Sequence, residues 1–224
     1  LDDVVALKML KAAALLDGEQ LERLKSEIKL ARRITHPNVL RTFDFGESEG
    51  RPYISMEYVR GMTLRYLLRQ AGRIPYSAGL RIARQLAAGL GAAHAVGVLH
   101  RDIKPENLIL EASGNAKLMD FGIARPLRRS EPGQTQPGMY VGTPNYSAPE
   151  QRAGDEVDQR ADIYSLGVVL YEMLTGELPI GRFAPPSQKA PMDPRVDDVV
   201  LRTLEKERER RQHNVAELKT EVEQ

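Results

Sequence analysis

The 224-residue chain contains no cysteine. Disulfide cross-links, thiolate nucleophiles and cysteine-ligated zinc are thereby excluded. A reducing cytosol is compatible with such a chain, although a chain without thiols is indifferent to redox. An excess of one charge is also missing: 32 Lys+Arg face 31 Asp+Glu. So balanced a surface has no strong pull toward nucleic acid or an anionic membrane, and neither is expected as a partner. Long hydrophobic runs are absent too. The longest, over residues 163–174, falls short of the about 20 residues that span a bilayer, and Ser165, Gly167 and Glu172 interrupt it. It reads as a buried core helix. Leu1 is not a start methionine and no leader pattern follows it. The expectation is a soluble, cytoplasmic piece of a longer polypeptide, long enough for one domain with a real core.

What is present divides into a short β-rich part and a longer helical part. Residues 4–10 are β-branched and apolar and predict a buried strand. A helix is expected over 18–34, with Leu21, Leu24, Ile28, Ala31 and Ile34 at three- and four-residue steps and Asp17 as its cap. His36-Pro37 ends it, because proline disfavours helical geometry in its predecessor. Strand-like runs follow at 39–45 and 52–59, joined by a turn-prone segment at 46–50. From Thr63 onward the pattern is helical: 64–70, then 77–96 with Leu80, Ala83, Leu86 and Leu90 on one face and Gly97 as a stop. Residues 126–144 lack periodicity and read as a loop. A core helix over 160–174 ends at Gly176, a proline-rich loop fills 183–194, and closing helices are expected over 196–211 and 216–223.

Within the helical part, residues 108–110 and 116–119 flank Ser113-Gly114-Asn115, a hairpin signal. Asn107 immediately precedes the first strand of that hairpin and Asp120 immediately follows the second. Antiparallel pairing brings those two ends side by side. An amide oxygen and a carboxylate with no imidazole or thiolate suit Mg²⁺ held jointly with substrate phosphates. Asp102 lies five residues before Asn107 and reaches the same region, where a further carboxylate can accept a proton from an attacking hydroxyl.

The run His100-Arg101-Asp102-Ile103-Lys104-Pro105-Glu106-Asn107, followed by Asp120-Phe121-Gly122 and Ala148-Pro149-Glu150, resembles the eukaryotic-like Ser/Thr protein kinase family. The resemblance covers nearly the whole chain. It implies an α+β, two-lobed fold: a small N-lobe and hinge over 1–59 and a helical C-lobe over 60–224. It implies transfer of the γ-phosphoryl of Mg·ATP to Ser or Thr of protein substrates. Asp102 is then the catalytic base, Lys104 neutralises charge on the moving phosphoryl group, and Asn107 and Asp120 hold the metal. Val5-Ala6-Leu7-Lys8 matches the lysine strand of the family, making Lys8 the ligand of the α- and β-phosphates. Glu27 is its expected anionic partner, with Glu22 the competitor. Met56-Glu57-Tyr58-Val59 resembles the hinge, where backbone groups of Glu57 and Val59 bind adenine; Ala6 and Ile109 line the same site. Lys104 and the Ala148-Pro149-Glu150-Gln151 segment are similar to the Ser/Thr branch, and Gln151 to many bacterial members. Arg101 implies a loop switched by phosphorylation at Thr135 or Ser130, with self-association for phosphorylation in trans. Thr143 is expected to contact Asp102 and Lys104. The resemblance also implies ion pairing of Glu150 with Arg211, and anchoring of the loop around Asp102 by Asp162.

The family's G-x-G-x-x-G hairpin does not precede the Lys8 strand in this sequence. That departure predicts weaker ATP binding for the chain as it stands, and a rival class: a nucleotide-binding signalling module that does not catalyse.

Overall fold

In a computed structural model, residues 4–10, 18–49, 51–121 and 144–223 are described. Three strands form the first sheet, in the order β1 (Val5–Met9), β3 (Arg51–Glu57), β2 (Thr42–Ser48), all antiparallel. Helix α1 (Gly18–Ala31) covers one face. Ile28 and Ala31 of the helix and Ile54 and Met56 of β3 share a small core with Leu40, against which Ala6 packs. β1 alternates as a period-2 strand must. Ala6 and Lys8 turn toward the covered face, while Val5, Leu7 and Met9 are exposed. Residues 4–10 therefore make a half-exposed strand, not the buried one their composition predicts.

Two further boundaries differ from the periodicity. Helix α1 stops at Ala31, yet Ile34 keeps the buried place that the apolar spacing assigned to it. It does so through tightened i−3 bonds, Arg33 N to Leu30 O and Ile34 N to Ala31 O, both 3.0 Å. β2 runs on to Ser48, so the turn shrinks to two residues and Glu49 takes φ 51°.

The second, larger layer is helical. β4 (Gly61–Thr63) leads into α2 (Leu64–Ala71), where the Thr63 hydroxyl caps the Tyr66 N–H. Helix α3 (Tyr76–Ala95) and the core helix α5 (Gln159–Thr175) pack against each other. Leu86, Leu90, Ile163, Leu166 and Val169 are all essentially buried, and α7 (Arg195–Thr203) and α8 (Val215–Glu223) close the core. The expected hairpin forms as β5 (Leu108–Glu111) and β6 (Ala116–Leu118), joined by β4 in a second sheet. Short helices α4 (Pro149–Ala153) and α6 (Pro186–Lys189) complete the layer; α6 lies inside the proline-rich stretch expected to be loop.

The closing helix expected over 196–211 ends at Thr203. The carbonyls of Glu205 and Lys206, which a continued helix would use, accept instead from the Arg211 guanidinium at 2.8 and 2.9 Å. A buried cation thus competes with helix propagation and wins.

The layers are stitched behind the cleft by residues 38–40. Leu40 N donates to Leu118 O at 2.8 Å, and Leu118 N donates to Asn38 O at 2.9 Å. The Asn38 amide donates to Gln85 Oε1, Asn115 Oδ1 and Ala116 O. α3 passes so close that a Cβ on Gly89 would lie 2.8 Å from Asn38 O. No helix among the described residues is long and apolar enough to cross a membrane.

Candidate active site

The hairpin brings the two ends singled out in the sequence together. Met119 N donates to Asn107 O at 3.0 Å, one step beyond the Leu108–Leu118 pair. Asp120 follows in the left-handed region at φ 64°, a conformation that L-residues other than Asn and Asp adopt reluctantly. From there its carboxylate meets Lys8 Nζ at 2.7 Å, across the cleft from β1. Asp102 is held from two sides. Lys104 Nζ lies 2.8 Å from its Oδ2, and the Asn107 amide donates to Asp102 O at 2.8 Å and to Oδ2 at 3.1 Å. Both amide hydrogens of Asn107 are committed to acceptors, so its Oδ1 is left as a lone-pair donor.

No group of three or more His, Cys, Asp or Glu among the described residues could hold an ion alone. Asn107 Oδ1 and Asp120 supply two hard oxygens and leave the remaining positions to phosphate and water, which fits a small dehydration-resistant dication.

Glu27 sits on α1 in a half-buried position, while the competitor Glu22 is exposed and ion-paired with Lys25 at 2.8 Å. Ala6 and Ile109 are half-buried on β1 and β5. Glu57 ends β3 and Val59 follows it. The side chain of Glu57 is pinned: Oε1 pairs with Lys117 Nζ of β6 at 2.8 Å and Oε2 accepts from Arg41 N at 3.2 Å. No described residue pairs with the Arg101 guanidinium. Thr135, Ser130 and Thr143, like the Asp17 cap, lie outside the described residues.

Behind the site stands a buried frame. Asp162 of α5 accepts from His100 N at 2.9 Å and Arg101 N at 2.8 Å, and contacts His94 Nε2 at 2.8 Å. Burial pushes its pKa up. The His94 hydrogen bond leads the contributions that outweigh burial and hold the carboxyl below its ordinary value. His100 is fully buried against Phe121, with ring centroids 4.6 Å apart. Burial lowers its pKa, so it stands as a neutral imidazole, with Nε2–H facing Met119 O and Nδ1 accepting from Asp102 N. Arg211, also fully buried, forms the expected fork with Glu150 at 2.7 and 2.9 Å.

Three arrangements escaped sequence reasoning. Arg65 joins Glu106 and Glu172, each at 2.7 Å, and contacts the Tyr146 hydroxyl, which in turn donates to Glu172 at 2.6 Å. Burial, then Glu172, pushes the Tyr146 phenol well above its usual range. The others are the Lys117–Glu57 pair and the Gln151 side chain. Apart from the local Ala148 N–H on Gln151, their partners lie 26 to 107 residues away in sequence, and no local pattern marks such distances.

A β-rich lobe with one helix, a helical lobe, and Lys8, Asp102, Lys104, Asn107 and Asp120 gathered in the cleft between them define the protein kinase fold. The protein kinase domain profile matches residues 2–221, and the chain belongs to that family. Among its relatives, serine/threonine-protein kinase pkn3 of Myxococcus xanthus is 37% identical over 92% of this chain and 42% of its own length. Serine/threonine-protein kinase PknD of Mycobacterium tuberculosis is 47% identical over 79% of this chain and 26% of its own length. The chain thus spans less than half of these curated relatives. Among solved structures, the Mycobacterium tuberculosis PknI kinase domain superposes with a TM-score of 0.78 at 32% identity, over 98% of this chain and 84% of that one.

Proposed function

We propose that the protein transfers the γ-phosphoryl group of Mg·ATP to serine or threonine hydroxyls of protein substrates. The observation that carries this reading is the pairing of Lys104 with Asp102 and of Lys8 with Asp120, with Asn107 bridging the two halves through Asp102 and the hairpin. The substrate hydroxyl oxygen forms the new bond to the γ-phosphorus as the bond to the β,γ-bridging oxygen breaks. The hydroxyl proton passes to Asp102, and ADP leaves. Lys104, already on Asp102, is placed to neutralise charge gathering on the phosphoryl oxygens. Lys8 exchanges its hold on Asp120 for the α- and β-phosphates, oriented by Glu27. Backbone groups of Glu57 and Val59 take adenine, with Ala6 and Ile109 against the ring. Asn107 Oδ1 and Asp120 would hold Mg²⁺, which when bound supplies charge neutralisation between the phosphates. Most of the rate then comes from positioning and preorganised charge, with no covalent intermediate on the protein.

Regulation belongs to the same reading. The Arg101 guanidinium, unpaired among the described residues, suits a phosphate on Thr135 or Ser130 placed there by a second copy, and Thr143 suits contact with Asp102 and Lys104. ATP as donor places the work on the cytoplasmic side.

Asp102→Asn tests the assignment. Phosphoryl transfer should fall by about 10²- to 10⁴-fold, the usual worth of a general base. The dissociation constant for Mg·ATP, measured calorimetrically, should stay within about twofold. Retained transfer would remove Asp102 as the base.

A further inference from the structure

Arg101, the residue before the proposed base, holds φ 64°. A long side chain stays in that region only where its surroundings fix it. Asp162 takes its N–H at 2.8 Å. Its carbonyl is taken by Gln151, a buried residue of α4, whose Nε2 donates at 3.0 Å. The orientation of the Gln151 amide is unambiguous. Its Oε1 accepts from Ala148 N at 3.1 Å, a group that can only donate, so the NH₂ must face Arg101. The peptide plane between Arg101 and Asp102 is therefore held at both ends: the oxygen by Gln151, the Asp102 N–H by His100 Nδ1 at 3.3 Å. The second contact is the longer one, so Gln151 is the firmer of the two. Rotation of that plane would swing the Asp102 carboxylate away from Lys104 and Asn107.

We propose that Gln151 is a positioning residue for phosphoryl transfer: it fixes the Arg101–Asp102 peptide and so couples the placement of α4, directly after Ala148-Pro149-Glu150, to the aim of the Asp102 carboxylate. This rests on the kinase reading above. It assigns to one glutamine two tasks: its oxygen caps α4 at Ala148 and its NH₂ orients the loop around Asp102. Substitutions can separate them.

Gln151→Met removes both bonds at similar volume. Gln151→Glu keeps the acceptor for Ala148 N but presents an oxygen to the Arg101 carbonyl, until the introduced carboxyl is protonated and can donate. Two measurements are made on the wild type and both variants: steady-state transfer from Mg·ATP, and amide hydrogen exchange of the peptide covering residues 98–104. The expected result for Gln151→Met is a fall in kcat of about tenfold, a KM for ATP within about twofold, and exchange at 101–103 faster by about tenfold. For Gln151→Glu, activity relative to wild type should climb as pH falls from about 8 to about 5.5, because burial raises a carboxyl pKa into that range. Asp102, His100, His94, Asp162 and Glu150 are common to both proteins and cancel in the ratio. Should Gln151→Met fail to fold, Gln151→Glu carries both measurements. Wild-type exchange at 101–103 in either variant overturns the proposal, as does wild-type kcat. A wild-type protein that transfers no phosphate overturns the kinase reading instead, and the exchange measurement still decides whether Gln151 holds the loop.

Discussion

At the scale of single residues, the site depends on charges and imidazoles buried behind it. Arg211 is fully buried and answers the Glu150 carboxylate with two bonds while donating to the carbonyls of Arg160, Glu205 and Lys206. Removing one partner of such a pair strands the other. Arg211→Ala should cost about 3–5 kcal/mol of unfolding free energy, measured by denaturant titration; a loss below about 1 kcal/mol would mean that Glu150 finds water or another donor. His100 and Asp162 give the pH dependence its sign. Both fold with lowered pKa values, so the unfolded chain binds more protons and stability rises with pH across each window. The His100 contribution is full above its unfolded pKa near about 6.5 and is lost as pH falls through its lower folded value. That of Asp162 is full above about 3.9 and lost further into acid. Unfolding free energy followed against pH should therefore begin to fall below about pH 6.5, and His100→Leu should flatten the upper part of that slope. An unchanged slope in the variant would show that the His100 pKa does not differ between the folded and unfolded chain. Among individual residues, those whose place is fixed by motif spacing were legible from sequence as neighbours or partners: Asp102 with Asn107, Asp120 at the hairpin end, Glu150 with Arg211, and Asp162 behind the loop. Gln151, Lys117 and Arg65 were not, because each is defined only by a partner brought near through folding.

At the scale of elements, hydrophobic periodicity located the longer helices and strands but not β4, α4 or α6, and the misplaced ends share one physical origin. The spacing of apolar residues reports which side chains are buried, not which backbone groups are bonded. Ile34 is buried as its spacing demands, although α1 has already ended. The apolar spacing of α7 runs on to the buried Leu204, past the helix end at Thr203, and beyond it Arg211 draws the carbonyls out of the helical pattern. β1 matches the family's strand by composition, but its outer side chains are exposed. The contact of α5 with α7 was invisible in sequence. A Cβ on Gly167 of α5 would overlap the Thr203 hydroxyl and lie 2.6 Å from Thr203 Cβ. Thr203 itself is buried and bonded to Val200 O at 2.6 Å, so it cannot easily yield. Gly167→Ala should destabilise by about 1–3 kcal/mol through overpacking, against the gain that alanine normally brings to a helix. Thr203→Ala combined with it, which removes the overlapping hydroxyl, should recover part of the loss; a neutral or stabilising Gly167→Ala would show that α7 shifts freely on α5.

At the scale of the whole molecule, the two lobes do not meet at the hinge alone. Residues 38–40 lie between α1 and β2 in sequence, but their hydrogen bonds run to β6, α3 and the hairpin turn of the helical lobe. Lys117 of β6 adds a second tie, reaching Glu57 at the end of β3. The strand that carries Asp120 is therefore fixed to the rear of the cleft, and the sheet that carries Lys8 faces it from the other lobe. The two-lobed α+β architecture was legible in sequence from the order of motifs; the stitching behind the cleft was not, since Asn38, Gln85 and Asn115 are ordinary polar residues until the chain folds. Whether this architecture carries out phosphoryl transfer is read directly from one experiment. The protein is incubated with γ-labelled Mg·ATP, alone and with a generic protein acceptor. The phosphoamino acids formed are then identified, with Asp102→Asn run alongside. Phosphoserine or phosphothreonine in the wild type, lost in Asp102→Asn, is the expected result. Label that persists in the variant, or that enters only tyrosine or small molecules, would contradict it.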